Sequence, residues 1–186
     1  MTEEFNFDKY LELVNNIIKN IILRFEKTKI TYDILDTEKT KINKLIALKE
    51  KQRQMKIGEI WQEVLGNYDG FINLKIGHKT GLDIISHSKK IVIELKNRTN
   101  TDNASSKKTN LSKLANFKKK NPDYECIYAN INDDNEEKTI EGYKKIIIYD
   151  NVEIIHLVGY KFIKYILCNN TDKIIEFIKK SIDNYS

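Results

Sequence analysis

Proline occurs once in the 186 residues, at Pro122, cysteine twice and arginine three times, against 29 lysines. Two cysteines, Cys126 and Cys168, cannot form a disulfide framework. Together with His78, His87 and His156 they show no paired spacing of zinc ligands. Both cysteines are expected to be reduced core residues. No run of about 18 apolar residues is present to cross a membrane, and the start MTEEFNFDKY lacks the basic flank and apolar centre of a signal peptide. A cytoplasmic location is the expectation. The sequence also lacks G-x-x-x-x-G-K-[ST] and G-x-S-x-G, which argues against P-loop nucleotide hydrolysis and the common serine hydrolases.

What is present is a chain of a length that suits one compact domain spanning 1–186, with 40% hydrophobic residues and a net charge of +5. Ile, Lys and Asn supply 79 residues, the bias of an A/T-rich genome, so total lysine says little. Its placement says more. Residues 89–120 hold ten Lys/Arg and only Glu94 and Asp102 as acids, a local excess of eight that leaves the remainder at −3. A confined positive patch can steer and hold a polyanion.

Residues 5–26 place Phe7, Tyr10, Leu11, Val14, Ile17, Ile18, Ile21, Ile22 and Phe25 on one helical face. A second helix is predicted over 38–65, with Ile42, Leu45, Ile46, Ile57, Ile60, Trp61 and Val64 apolar. The charged stretch 49–56 and Gly58 are able to divide it, and its end is near Gly66. From Phe71 to Lys96 the period becomes two, in segments FINLKI, GLDIIS and KIVIELK that fit an antiparallel meander. Asn97–Ser106 reads as a loop whose serines cap a helix running to about Lys120. Strands at 124–131 and 144–159 are separated by an acidic surface loop, Asp133–Glu137, and two short helices close the chain. The expected fold is α/β: a mixed central sheet flanked by helices.

Three charged groups interrupt the apolar hairpin 81–97. Alternation puts Ile91, Ile93 and Leu95 on one face and Val92, Glu94 and Lys96 on the other. A hairpin symmetric about Ser88 and Lys89 pairs residues whose numbers sum to 177, and so sets Asp83 opposite Glu94. Opposed Cβ atoms lie about 4.5–5.5 Å apart, and two carboxylates that close repel unless a proton or cation intervenes. Hard oxygen ligands at this spacing suit Mg²⁺, and Lys96 then lies beside a water held there. Lewis acid, water and positive group are the needs of phosphodiester hydrolysis. The competing reading is an ordinary cross-strand ion pair on a solvated face. Against it stand Ile85 and Val92 on that same face.

Asp83, ten intervening residues, then Glu94-Leu95-Lys96 at the end of an apolar strand resembles the core of the PD-(D/E)XK nucleases. Gly58-Glu59-Ile60-Trp61-Gln62 before the hairpin and Asn97-Arg98-Thr99-Asn100-Thr101 after it resemble, more narrowly, small type II restriction endonucleases. The resemblance spans roughly residues 50–131, and Leu82 stands where the family has proline. It implies a restriction-endonuclease-like core with Asp83 and Glu94 as metal ligands, the Leu95 carbonyl as a further ligand and Lys96 at the attacking water. A helical glutamate, Glu59 or else Glu63, joins the metal site. It also implies Mg²⁺ as cofactor, cleavage leaving a 5′-phosphate, and double-stranded DNA as substrate. A homodimer is expected for cutting both strands of a short palindrome, with a cognate methyltransferase as possible companion.

The polar and basic segment after the hairpin supplies candidate DNA contacts: Asn97, Arg98, Asn100, Thr101, Asn103, Ser105, Ser106, Lys107, Lys108 and Lys113. Asn suits adenine edges, Arg suits phosphate or guanine, and the lysines suit the backbone. Alternative readings are a structure- or damage-specific nuclease of the same superfamily, such as a resolvase or repair nickase, and a DNA-binding module without catalysis.

Overall fold

The computed structural model describes residues 5–25, 30–75, 77–99 and 104–185. Helix α1 (Phe7–Phe25) buries Tyr10, Val14, Ile18, Ile21 and Ile22, members of the face the apolar spacing predicts. Helix α2 (Glu38–Gly66) is continuous through both the charged stretch and Gly58, and starts on Thr37, whose hydroxyl accepts from the Thr40 N–H. Its amino-terminal half stands off the core, so Ile42 and Ile46 are exposed rather than packed. At its other end Gly66 lies against strand β1 (Ile72–Asn73). A Cβ built there would come within 2.7 Å of Asn73 Cβ and 2.9 Å of Asn73 Cα, so only glycine allows this approach.

The meander is completed by β2 (Ile84–Ser86) and β3 (Ile91–Arg98). Pairing of Ile84 with Ile93, Ile85 with Val92 and Ser86 with Ile91 gives the expected register, closed by a four-residue turn in which Lys90 adopts φ 55°. Helix α3 (Ala104–Lys120) carries the chain over to β4 (Glu125–Asn132), parallel to β3. Next come α4 (Glu136–Glu141), β5 (Tyr143–Tyr149) and β6 (Val152–Val158), the last parallel to β4. The β5–β6 turn has positive φ at both Asp150 and Asn151, the conformation of a two-residue hairpin. Helices α5 (Tyr160–Leu167) and α6 (Thr171–Tyr185) follow. The sheet has six strands in the order β1-β2-β3-β4-β6-β5, mixed in direction, so the architecture is α/β as expected.

Two apolar cores sandwich the sheet. One joins Ile91, Ile93 and Leu95 to α1, α2, α5 and α6; the other joins Ile85, Val92, Cys126 and Tyr128 to Leu111, Leu114 and Ala115 of α3. The alternation along β3 therefore directs Val92 to the α3 side, the face it shares with Glu94 and Lys96.

Three local expectations need correction. Strand β3 extends through Arg98 and α3 begins at Ala104, so Ser105 and Ser106 lie inside the first helical turn and do not cap it. Asn100, Thr101 and Asn103 fall outside the described residues. The acidic stretch Asp133–Glu137 is in part helical, because Asn135 accepts from the Lys138 N–H and the acids Glu136 and Glu137 suit a first turn. Cys126 is buried, but Cys168 is exposed at the end of α5, not in the core.

Candidate active site

The β2–β3 ladder ends at Ile84, and one residue earlier Asp83 brackets Glu94. Its N–H donates to the carbonyl of Ile93 (3.1 Å), while its Oδ2 accepts from the N–H of Leu95 (2.7 Å). Asp83 is thereby held by backbone bonds on either side of the second acid, independent of any rotamer of Glu94. Glu94 is 2% exposed. Lys96, two residues along the same face, donates to its Oε1 at 2.8 Å. Glu94 Oε2 is buried and has no hydrogen-bond partner among the described residues.

Burial pushes both carboxyl groups above their ordinary range. For Glu94 the neighbouring Asp83 charge adds to the rise, and the bond and charge of Lys96 oppose it. For Asp83 the Leu95 N–H opposes the rise, with smaller help from Lys96 and Lys113. The two acids thus feel each other, as their predicted convergence requires. A buried carboxylate oxygen left unsatisfied is costly, and a second carboxylate beside it supplies the hard oxygen donors a divalent cation takes. The residues present fit Mg²⁺ on this ground. Among the described residues no third acid, histidine or cysteine completes a cluster with them.

Glu59 lies on α2 and lines a cleft of 730 Å³ together with Glu63, Leu95 and Lys96. Its carboxylate is ion-paired with Arg24 and not gathered with Asp83 and Glu94. Glu63 borders the same cleft and accepts from the Asn67 side chain. Both helical glutamates line a cleft that Lys96 also borders, and among the described residues neither is gathered with Asp83 and Glu94.

The predicted DNA contacts divide. Asn97 is committed to the protein: its Nδ2 donates to the Gln54 carbonyl of α2 (2.9 Å), and its Oδ1 accepts from Asn132 (3.0 Å). Arg98 faces Glu50 of α2 at 4.0 Å. Ser105, Ser106, Lys107 and Lys108 are exposed in the first turns of α3, Lys107 with its ammonium 5.9 Å from the Tyr128 ring centre. Lys113 lies deeper, accepted by Asn110 at 3.3 Å.

One support, Asn110, escaped the sequence reading; a second, His156, is the structural residue that its place in a strand pattern suggests. Asn110 is a buried polar residue that holds Lys113, a role hidden by its place in a polar helix of low apolar content. His156, 3% exposed on β6, bonds Asn130 Oδ1 at 2.7 Å, and Asn130 donates in turn to the carbonyl of Arg98 at 3.1 Å. That chain ties β6 and β4 to the end of β3. Desolvation, helped by the Lys145 and Lys107 charges, lowers the imidazole to about 4, so it is neutral near pH 7 and its Nε2 donates.

The family model described as Eco47II restriction endonuclease matches residues 3–183. No curated protein matches the chain. With a mixed six-stranded sheet and a family match over nearly its whole length, the chain is a restriction endonuclease of the PD-(D/E)XK superfamily, a DNA endonuclease. It belongs to the Eco47II restriction endonuclease family.

Proposed function

We propose that this endonuclease is a Mg²⁺-dependent type II enzyme that hydrolyses both strands of duplex DNA at a short specific sequence, acting in the cytoplasm as a homodimer of single-domain subunits. The observation that carries the metal-dependent reading is the buried, unpartnered Oε2 of Glu94 next to Asp83 and Lys96. Asp83, Glu94 and the Leu95 carbonyl would hold the cation. When bound, the ion supplies Lewis acidity towards the scissile phosphoryl group.

The chain's own residues do the rest. Lys96, 25% exposed at its side chain, donates to Glu94 on the face of β3 they share and orients the attacking water there. Asp83 keeps its place through the two backbone bonds, so the donor set is preformed rather than assembled on binding. Glu59 joins the site only by leaving Arg24, which makes its role conditional on substrate or metal. Ser105, Ser106, Lys107, Lys108 and Lys113 present the positive face of α3 to the DNA backbone, while Arg98 and Asn97 set the end of β3. With the reaction centre built on Asp83 and Glu94 of one chain, cutting both strands at one site calls for two chains. A methyltransferase of matching specificity is the companion such an activity requires.

Incubation of the protein with plasmid and phage DNA, with and without Mg²⁺, tests this. Discrete fragments that require Mg²⁺ support it. Nicking of branched or damaged DNA alone would instead favour a structure-specific nuclease.

A further inference from the structure

Beside the carboxylate pair lies a second cleft, of 680 Å³, between the 77–81 turn and α3. Among the described residues its lining includes three lysines and two histidines and no carboxylate, together with Ile85, Leu74 and Phe117. Lys113 belongs both to this cleft and to the electrostatic surroundings of Asp83 and Glu94. Its stem runs over Gly81, two residues before Asp83: Lys113 Cε lies 3.3 Å from where a Cβ would stand, and Gly81 has φ 64°. Glycine is thus needed both for the turn and for the lysine to reach the pair.

The turn also presets a donor. The N–H of Thr80 donates to His78 Nδ1, and the Thr80 hydroxyl lies 2.8 Å from the same nitrogen. With Nδ1 accepting, Nε2 carries the ring proton. His87 is similarly engaged through Nδ1 by the Tyr124 hydroxyl at 2.7 Å. Lysines, a preset imidazole donor and apolar side chains match the three parts of a nucleotide: phosphate, and sugar and base.

We propose that this cleft is a subsite for the nucleotide next to the scissile bond, its backbone phosphate held by His78, Lys113 and Lys120, with Lys113 linking subsite and reaction centre. The assignment rests on the nuclease reading above and adds where the strand runs: from Asp83 and Glu94 across Lys113 towards the carboxyl end of α3. Phosphate contact here is independent of sequence, so it sets position and not specificity.

The test is binding of a mixture of linear duplex fragments to the full-length protein in Ca²⁺, across a KCl series. The variants are Lys120→Ala, His78→Ala and Lys113→Met, the last keeping the stem over Gly81, with Lys180→Ala on α6 as control. Lys120 is exposed, so its truncation leaves the fold intact. Each cleft variant is expected to weaken binding about 5–10-fold, and each lysine variant to flatten the log–log salt dependence by about 0.9, the loss of one phosphate neutralised. Lys180→Ala is expected to change neither. Cleft variants that match the wild type in affinity and slope, while the wild type cuts DNA with Mg²⁺, would overturn the subsite and leave the nuclease reading standing. A wild type that binds and never cuts, with the cleft variants weakened, would keep the subsite and overturn the reaction.

Discussion

Lys96 Nζ lies 2.8 Å from Glu94 Oε1 and leaves the other oxygen of that carboxylate buried without a partner. The ion pair is therefore half a site: it secures the glutamate's rotamer while one hard donor stays unsatisfied. Replacing Glu94 by Gln removes a buried charge whose acidity burial and Asp83 both oppose. Oε1 still accepts from Lys96. Glu94→Gln is expected to cut DNA at least about 100-fold more slowly. Without metal its melting temperature is expected to rise by several degrees, since an unsatisfied buried polar group costs about 1–3 kcal/mol and each kcal/mol is worth about 2–4 °C at this size. Thermal melts with EDTA check this; a fall in melting temperature would contradict the strained-carboxylate account.

The raised carboxyl groups have a pH signature. Between the ordinary carboxylate range and the higher native values, the folded state holds more protons than the unfolded chain. Stability from this pair is therefore greatest at acid pH and declines as pH rises through the native pKa values. Mg²⁺ competes with those same protons, so the Mg²⁺-induced gain in melting temperature is expected to grow from near zero at acid pH to a plateau above the native values. Melts with and without Mg²⁺ across pH measure it, and a gain independent of pH would contradict it.

His156 behaves in the opposite sense. Its imidazole, lowered from 6.5 to about 4, binds a proton more readily when the chain is unfolded. Its contribution is fully present above pH 6.5 and is lost as pH falls through about 4, a change of roughly 3 kcal/mol. Denaturant titrations of His156→Gln, whose amide can still donate to Asn130, are expected to lose much of the slope of stability between those pH values. An unaltered slope would show that another group titrates there.

Gly66→Ala tests the seating of the meander. Alanine favours a helix by about 1 kcal/mol, yet its Cβ would stand 2.7 Å from Asn73 Cβ. Because Asn73 Cα would stand at 2.9 Å, backbone must move, and overpacking of this kind costs about 1–3 kcal/mol. A net loss of stability by chemical denaturation is expected; a gain would mean β1 and α2 are not in contact here.

How far the amino-acid order discloses this site depends on range. The period of two in 81–97 was enough to place Glu94 and Lys96 on one face and to set the 177 register, because hairpin pairing is local. It did not foresee that Asp83 leaves the ladder and brackets Glu94 by hydrogen bonds to Ile93 and Leu95, since that depends on where pairing stops. Asn97 looked like a base reader in a polar stretch. Its commitment to Gln54 and Asn132 comes from α2 and β4, 43 and 35 residues away in the chain, which no local pattern encodes. The exposure of Ile42 and Ile46 has the same origin: their apolar character was legible, and the absence of a packing partner was not. Arg24 opposite Glu59 is again a pairing between distant helices.

Everything turns on Asp83 and Glu94 converging beside Lys96, and one assay addresses it most directly. Wild type, Glu94→Gln and Lys96→Ala are incubated with plasmid DNA across a Mg²⁺ series, with duplex binding measured in parallel. Mg²⁺-dependent fragments are expected from the wild type, none from either variant, and retained binding from both. Equal cutting by all three proteins, or by the wild type in EDTA, would contradict this.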